Sequence, residues 1–219
     1  NNAGPDLKGL FIGTEGTMGI ITRAVLRLHA GVTGANTALI ALPDFAAVVK
    51  LLRHAQQRLS GLVSAYEVMW ADYYQSATTV GGIRAPLAAD YPVYVLMDER
   101  FETVLEYALE EGWVLDAAIA KSQADAEDFW ALRDSVAEML NAYAPTINFD
   151  VSFPISQIGE CVERLREVMD TQFPSIRAMH FGHVGDGNLH IVVGPLPDDN
   201  RKTERAVEDA FYGVTRELG

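Results

Sequence analysis

One cysteine, Cys161, stands in the 219 residues, so no internal disulfide can staple the chain. Its place among Ile158, Val162 and Leu165 at helical spacing assigns it to core packing rather than to reactivity. Cations are scarce as well. Seventeen Lys and Arg against 30 Asp and Glu give a formal net charge of −13, and no basic patch breaks that balance. Such a surface opposes binding to nucleic acid or any other polyphosphate. Long apolar runs are missing too: LKGLFIG (7–13) and NTALIAL (36–42) fall far short of the ~20 residues that span a bilayer. No repeat period, low-complexity tract or long linker interrupts the chain. What remains is 49% hydrophobic and 21% charged, the texture of an ordinary globular protein. The length allows one large domain, or one domain with a fragment of another, at the usual ~100–200 residues per domain. The chain starts at Asn1 with no basic leader before an apolar stretch, so its native N-terminus and any targeting signal stay open, with the cytoplasm favoured.

Along the chain the texture changes once. Gly4, Gly9, Gly13, Gly16 and Gly19 punctuate an opening that ends in the strand-like IITRAVLRLH (20–29). A boundary is expected near 30–35, because that opening is too short to bury a core alone. It divides the chain into 1–33, the end of a preceding domain, and 34–219. Beyond it NTALIAL reads as a strand, and Pro43-Asp44 opens a helix carrying Phe45, Val48, Val49 and Leu52 on one stripe. The alternation continues with strands near 62–69, 92–98, 113–120 and 146–152 and helices at 71–79, 101–111 and 125–142. Ser156 is expected to cap a helix running to about 170, and two strands and a helix from 200 complete the pattern. Short connections between strands and helices predict an α/β or α+β sandwich with helices layered on a sheet.

The sharpest motif is HFGHVGDGNLHIVV (180–193). Asp-Gly between two apolar runs signals a hairpin with a two-residue type I′ loop. If Asp186 and Gly187 are that loop, His183 lies directly across from His190 with both imidazoles on one face, while His180 points to the other. Two such histidines could share a divalent ion, although a catalytic zinc takes about three protein ligands. The local sequence offers no third, and a plain hairpin with two surface histidines is the competing reading.

Arg133, in AEDFWALRDSVAEML (126–140), lies at the edge of the apolar stripe Phe129, Leu132, Val136 and Leu140. A guanidinium there wants an anion, either an internal carboxylate such as Asp150 or the carboxylate of a substrate. In GLFIGTEGTMGIIT (9–22), glycines recur every three residues without forming a GxGxxG fingerprint. They mark tight turns, or close approach to something flat or phosphorylated. Tyr73, Tyr74 and Trp130 carry no special signal.

Taken in order, GPDLKGLFIGTEGTMGIIT, FWALRDS and FGHVGDGNLH resemble the FAD-linked 2-hydroxyacid dehydrogenases and oxidases of the vanillyl-alcohol oxidase superfamily. The resemblance covers essentially the whole chain. It implies an α+β fold: the tail of an FAD-binding domain, then a ferredoxin-like substrate-binding cap with an antiparallel sheet and flanking helices. It also implies that Glu15, Gly16, Thr17, Met18, Gly19, Ile20 and Ile21 line FAD. His183 and His190 become ligands of a divalent metal, with zinc favoured, or alternatively a catalytic base. Arg133 becomes the clamp on the substrate carboxylate, with Asn148 and Asn188 also at the substrate. The family's third metal ligand follows an ELG ending and its FAD pyrophosphate loop precedes this segment, so neither site is expected to be complete here.

Where hydroxyglutarate-type members carry a Thr, a Lys and an Asn around the substrate, this chain has Ala137, Asn148 and Val192. A second substrate carboxylate would therefore lack a cation, which favours a D-lactate-like monocarboxylate. The implied reaction is FAD-dependent oxidation of a D-2-hydroxy acid to the 2-keto acid, with an undefined electron acceptor and a homodimer as the assembly considered. The rivals are a small-acid or metal sensor without flavin chemistry, and a flavin-dependent alkyl-ether-lipid synthase, against which the ordered HVGDGNLH hairpin argues.

Overall fold

The strand NTALIAL is apolar at nearly every position because both of its faces are covered. In β1 (Asn36–Leu42), Ala38, Ile40 and Leu42 enter one core while Leu39 and Ala41 enter another. The computed structural model describes residues 4, 6–27, 36–59, 63, 65–80, 82–99, 102–197 and 200–218. Two compact units divide it, Asn1–Gly34 and Ala35–Gly219.

In the larger unit, β1 is followed by α1 (Phe45–Arg58), β2 (Ala65–Trp70), α2 (Ala71–Thr79), β3 (Val93–Glu99), α3 (Glu102–Glu110) and β4 (Asp116–Ile119). Then come α4 (Gln123–Asp134), α5 (Val136–Ala142), β5 (Ile147–Ser152), α6 (Ile155–Gln172), β6 (Arg177–Gly182), β7 (Asn188–Gly194) and α7 (Asn200–Leu218). The seven strands form one antiparallel sheet in the order β4-β1-β3-β2-β6-β7-β5. Its first four strands, with α1 and α3 as crossovers, repeat the order of the ferredoxin-like βαββαβ unit. This is the expected α+β class. Helices α1, α3, α6 and α7 pack on one face around Val48, Leu51, Val104, Val162 and Phe211. Helices α2, α4 and α5 pack on the other around Tyr73, Tyr74, Leu132 and Met139. Cys161 lies fully buried in the first of these cores.

Several boundaries differ from the sequence reading. The helix expected over 125–142 is broken at Ser135, because Ser135 Oγ donates to Leu132 O and Tyr73 O–H donates to Arg133 O at 2.6 Å. Those bonds take up carbonyls that the next turn would have used. Ser156 caps nothing: Pro154 occupies the N-cap position of α6 and gives no side-chain bond. At the other helix the expectation holds, since the Asp44 carboxylate accepts from Ala47 N–H at 2.7 Å. Strand 113–120 shortens to β4, whose pairing with β1 covers only residues 116–119.

In the smaller unit a 3-10 turn (Leu7–Leu10) is capped by Asp6. Residues 20–27 form no strand there, since an extended run becomes one only by pairing and none of the described residues pairs with it. The boundary expected at 30–35 falls on positions outside the described residues.

Candidate functional site

The hairpin between β6 and β7 has a longer loop than the Asp-Gly signal suggests. Phe181, not His183, lies across from His190, and His180 lies across from Ile191. Residues 183–187 connect the strands: Val184–Asp186 make a 3-10 turn and Gly187 takes the left-handed conformation at φ +83°. A helical turn closed by a left-handed glycine satisfies the same Asp-Gly pair as a type I′ loop does. Tertiary packing selects between them. The loop rests on the β5–α6 connection, where Phe153 N–H donates to Gly187 O at 2.9 Å, and a Cβ on Gly187 would come within 2.5 Å of Phe153 O.

Although the register is corrected, the two imidazoles still meet, with ring centroids 5.4 Å apart and planes at 83°. His183 reaches His190 from the loop rather than along the ladder. His180 is fully buried elsewhere, with Nδ1 2.9 Å from Asp72 Oδ2 and its ring edge-on to Trp70.

Arg133, at the C-terminal end of α4, joins them. Its Nε donates to Glu67 Oε2 at 3.1 Å, its Nη1 to Asp134 Oδ1 at 3.2 Å, and its Nη2 lies 2.9 Å from His183 Nε2. A guanidinium can only donate, so His183 Nε2 is the acceptor; Nδ1 then carries the hydrogen and donates to Glu67 Oε1 at 2.7 Å. His183 is thereby fixed as the neutral Nδ1–H tautomer. The internal anions of Arg133 are Glu67 and Asp134, not Asp150; burial opposes its charge, and Glu67 foremost, with Asp134, outweighs that burial and raises its pKa. Sequence reasoning missed Glu67. The signal was an acid in the middle of an otherwise apolar strand, AYEVMW, where an unpaired carboxylate would be costly.

Asp150 lies across the ladder from His190, with Oδ2 3.6 Å from its Nδ1, and its Oδ1 accepts from Asn188 Nδ2 at 2.7 Å. Burial lowers the pKa of His190; Asp150 works against this, and His183 and Arg133 reinforce it. The Asn188 Oδ1 is buried without a partner among the described residues. Asn148 is exposed two residues along β5, opposite Val192, which is buried, and Ala137 is exposed on α5. A pocket of about 350 Å³ opens against Glu67 and His183, walled also by Gln56, Tyr66 and Asp186; neither Arg133 nor His190 lines it.

These residues do not compose a metal centre as they stand. No group of three His, Cys, Asp or Glu side chains is placed to hold an ion among the described residues, and His183 Nε2 is already taken by a guanidinium. In the glycine-rich segment Gly13, Gly16 and Gly19 have φ of +83°, +79° and +158° and Glu15 joins them at +49°; a Cβ on Gly13 or Gly16 would meet nothing within 4 Å, whereas one on Gly19 would come to 3.1 Å from the Phe11 ring. Met18, Ile20 and Ile21 are exposed beside them.

The family model for FAD linked oxidases, C-terminal domain, matches residues 33–219. Among curated proteins, a D-2-hydroxyglutarate dehydrogenase of Xanthomonas citri pv. viticola is 36% identical over 204 residues, covering 88% of this chain and 42% of that protein. The D-2-hydroxyglutarate dehydrogenase of Stutzerimonas stutzeri is 29% identical over 222 residues, covering 97% and 46%. The chain thus spans less than half the length of these relatives. Among solved structures, an alkyldihydroxyacetonephosphate synthase superposes with a TM-score of 0.68 at 14% identity, over 100% of this chain and 46% of that one. A p-cresol methylhydroxylase gives 0.52 at 11% identity, over 83% and 42%. These two likenesses speak for the fold alone. With the family model matched over the whole of the larger unit, the chain belongs to the FAD-linked oxidases and carries their C-terminal domain.

Proposed function

We propose that this chain is the substrate-binding part of an FAD-dependent oxidoreductase that converts a D-2-hydroxy acid to the 2-keto acid. The observation that carries the reading is the meeting of Arg133, His183 and His190 on one end of the sheet. Three of the five guanidinium N–H donors are engaged within the protein, which leaves two for a substrate carboxylate. The hydroxyl proton needs a neutral acceptor close to that clamp. His190 suits the role, because burial favours its neutral form while both ring nitrogens of His183 are occupied. Bound FAD supplies the two-electron acceptor for the α-hydrogen, with residues 15–21 as its lining. No step is assigned to a metal.

The two curated relatives above are named for D-2-hydroxyglutarate, but Ala137 and Asn148 offer a second carboxylate only an apolar side chain and a neutral amide, with no cation at either position. A D-lactate-like monocarboxylate fits better. The test is anaerobic mixing of the full-length protein with D-lactate, L-lactate and D-2-hydroxyglutarate while flavin absorbance is followed. Bleaching by D acids only is expected; a bound flavin that no hydroxy acid reduces, or a protein that binds no flavin, would refute the reading and leave the sensor.

A further inference from the structure

Glu67 is the one site residue whose presence neither the fold nor the clamp explains. Its side chain is 9% exposed and lies in β2 between Tyr66 and Val68, both in the apolar core. A buried carboxylate paired with a buried cation generally adds no more stability than apolar side chains of the same volume, and it becomes costly when either partner is lost. What it adds is geometry. One oxygen takes Arg133 Nε and the other takes His183 Nδ1, while His183 Nε2 in turn takes Arg133 Nη2. The three groups close a ring, so Glu67 grips the guanidinium twice, once directly and once through a tautomer that it enforces on His183.

We propose that Glu67 is a positioning residue of the hydroxy-acid site, acting through Arg133: it fixes the guanidinium edge that receives the substrate carboxylate. This rests on the oxidoreductase reading above. A long, flexible arginine loses little further freedom on binding when it is already held, which is the advantage of preorganisation.

The test is a double-mutant cycle in the full-length flavoprotein, reading kcat/KM for D-lactate with Glu67→Gln, Arg133→Ala and the double variant. Each single variant should lose at least tenfold, whereas the double should stay within twofold of Arg133→Ala, since no guanidinium remains to be placed. A merely structural glutamate changes how much protein folds and not the turnover of what is folded, and Arg133→Ala alone leaves it buried and unpaired. Every kcat/KM is accordingly taken per folded, flavin-loaded enzyme; on that basis a positioning residue costs nothing once the guanidinium is gone. A further tenfold loss on adding Glu67→Gln to Arg133→Ala would therefore overturn the proposal, as would a Glu67→Gln variant of undiminished kcat/KM. Should Glu67→Gln fail to fold, Glu67→Asp, which keeps the buried charge but shortens its reach to Arg133 Nε and His183 Nδ1, replaces it in the cycle with the same outcomes. If Arg133→Ala alone keeps full kcat/KM, the carboxylate clamp itself is wrong; multiplied losses with a crippled Arg133→Ala refute only the role of Glu67.

Discussion

Asp72 and His180, 108 residues apart, are bonded twice: Asp72 Oδ1 accepts the His180 backbone N–H at 2.8 Å, and Oδ2 lies 2.9 Å from His180 Nδ1. The same Oδ2 accepts from Arg166 Nη2 at 2.6 Å, so one carboxylate ties the start of α2 to β6 and α6. Burial works against its ionisation, but the His180 and Arg166 charges and the hydrogen bonds prevail and bring its pKa down from 3.8 to about 2. A depressed folded pKa stabilises the fold above the unfolded value. That contribution is whole above about pH 4 and is lost as pH falls toward 2, and the shift corresponds to about 2 kcal/mol. Asp72→Asn should therefore lower stability to urea by about 2 kcal/mol at pH 7, with a gap to wild type that narrows from pH 4 to pH 2. A gap of constant size over that range would show that the ionised form is not what stabilises.

Cys161 is fully buried on α6, and burial raises its thiol pKa to about 11, against the smaller opposing effect of Arg164. The thiolate needed for alkylation is thus both rare and inaccessible in the folded protein. Iodoacetamide at pH 8 should leave the native protein unmodified over hours and label it fully in urea. Rapid labelling without denaturant would mean that α6 opens readily or packs differently.

Gly187 can be tested by adding a single methyl group. Its φ of +83° is unfavourable for other residues, and the new Cβ would come within 2.5 Å of the Phe153 carbonyl, a backbone atom that cannot swing aside. Gly187→Ala should cost ~1–3 kcal/mol and displace the loop that carries His183. Gly185→Ala, where a Cβ meets nothing within 4 Å and φ is not positive, is the matched control and should be nearly neutral. Equal thermal shifts for the two would remove the argument that packing against Phe153 sets the loop length.

The layered α+β order was legible because it follows from local patterning: the apolar stripe after Asp44 and the two-sided apolar strands need no tertiary knowledge. What was not legible depends on contacts between distant segments. Ser135 breaks a helix because Tyr73, on a different helix, takes a carbonyl there. The Asp186-Gly187 pair fits either of two loops, and Phe153 decides between them. Glu67 escaped notice because its partners come from α4 and from the β6–β7 loop, 66 and 116 residues further on. The proximity of His183 and His190 was anticipated by way of the wrong register, since the longer loop folds His183 back toward the same end of the ladder.

If the full-length protein is the proposed hydroxy-acid oxidoreductase, the charges along the exposed edge of the sheet predict its choice of substrate. Asn148 and Asp150 stand two residues apart on β5, opposite Val192 and His190, so both belong to one face. A dicarboxylate held by Arg133 would bring its second carboxylate to a surface offering the neutral Asn148 and the acidic Asp150. At an exposed edge the repulsion from Asp150 is on the order of 1 kcal/mol, and ~1.4 kcal/mol is tenfold in specificity. D-lactate should therefore exceed D-2-hydroxyglutarate by roughly several-fold to tenfold in kcat/KM. Arg133→Ala should reduce kcat/KM for both acids, because both share the first carboxylate. Asn148→Lys should improve the dicarboxylate selectively, although less than a lysine without an acidic neighbour would, since Asp150 competes for the new cation. Steady-state kinetics with both acids on the three proteins would decide it: a preference for the dicarboxylate in the wild type, or an Asn148→Lys variant that leaves the ratio unchanged, would show that the second carboxylate lies elsewhere.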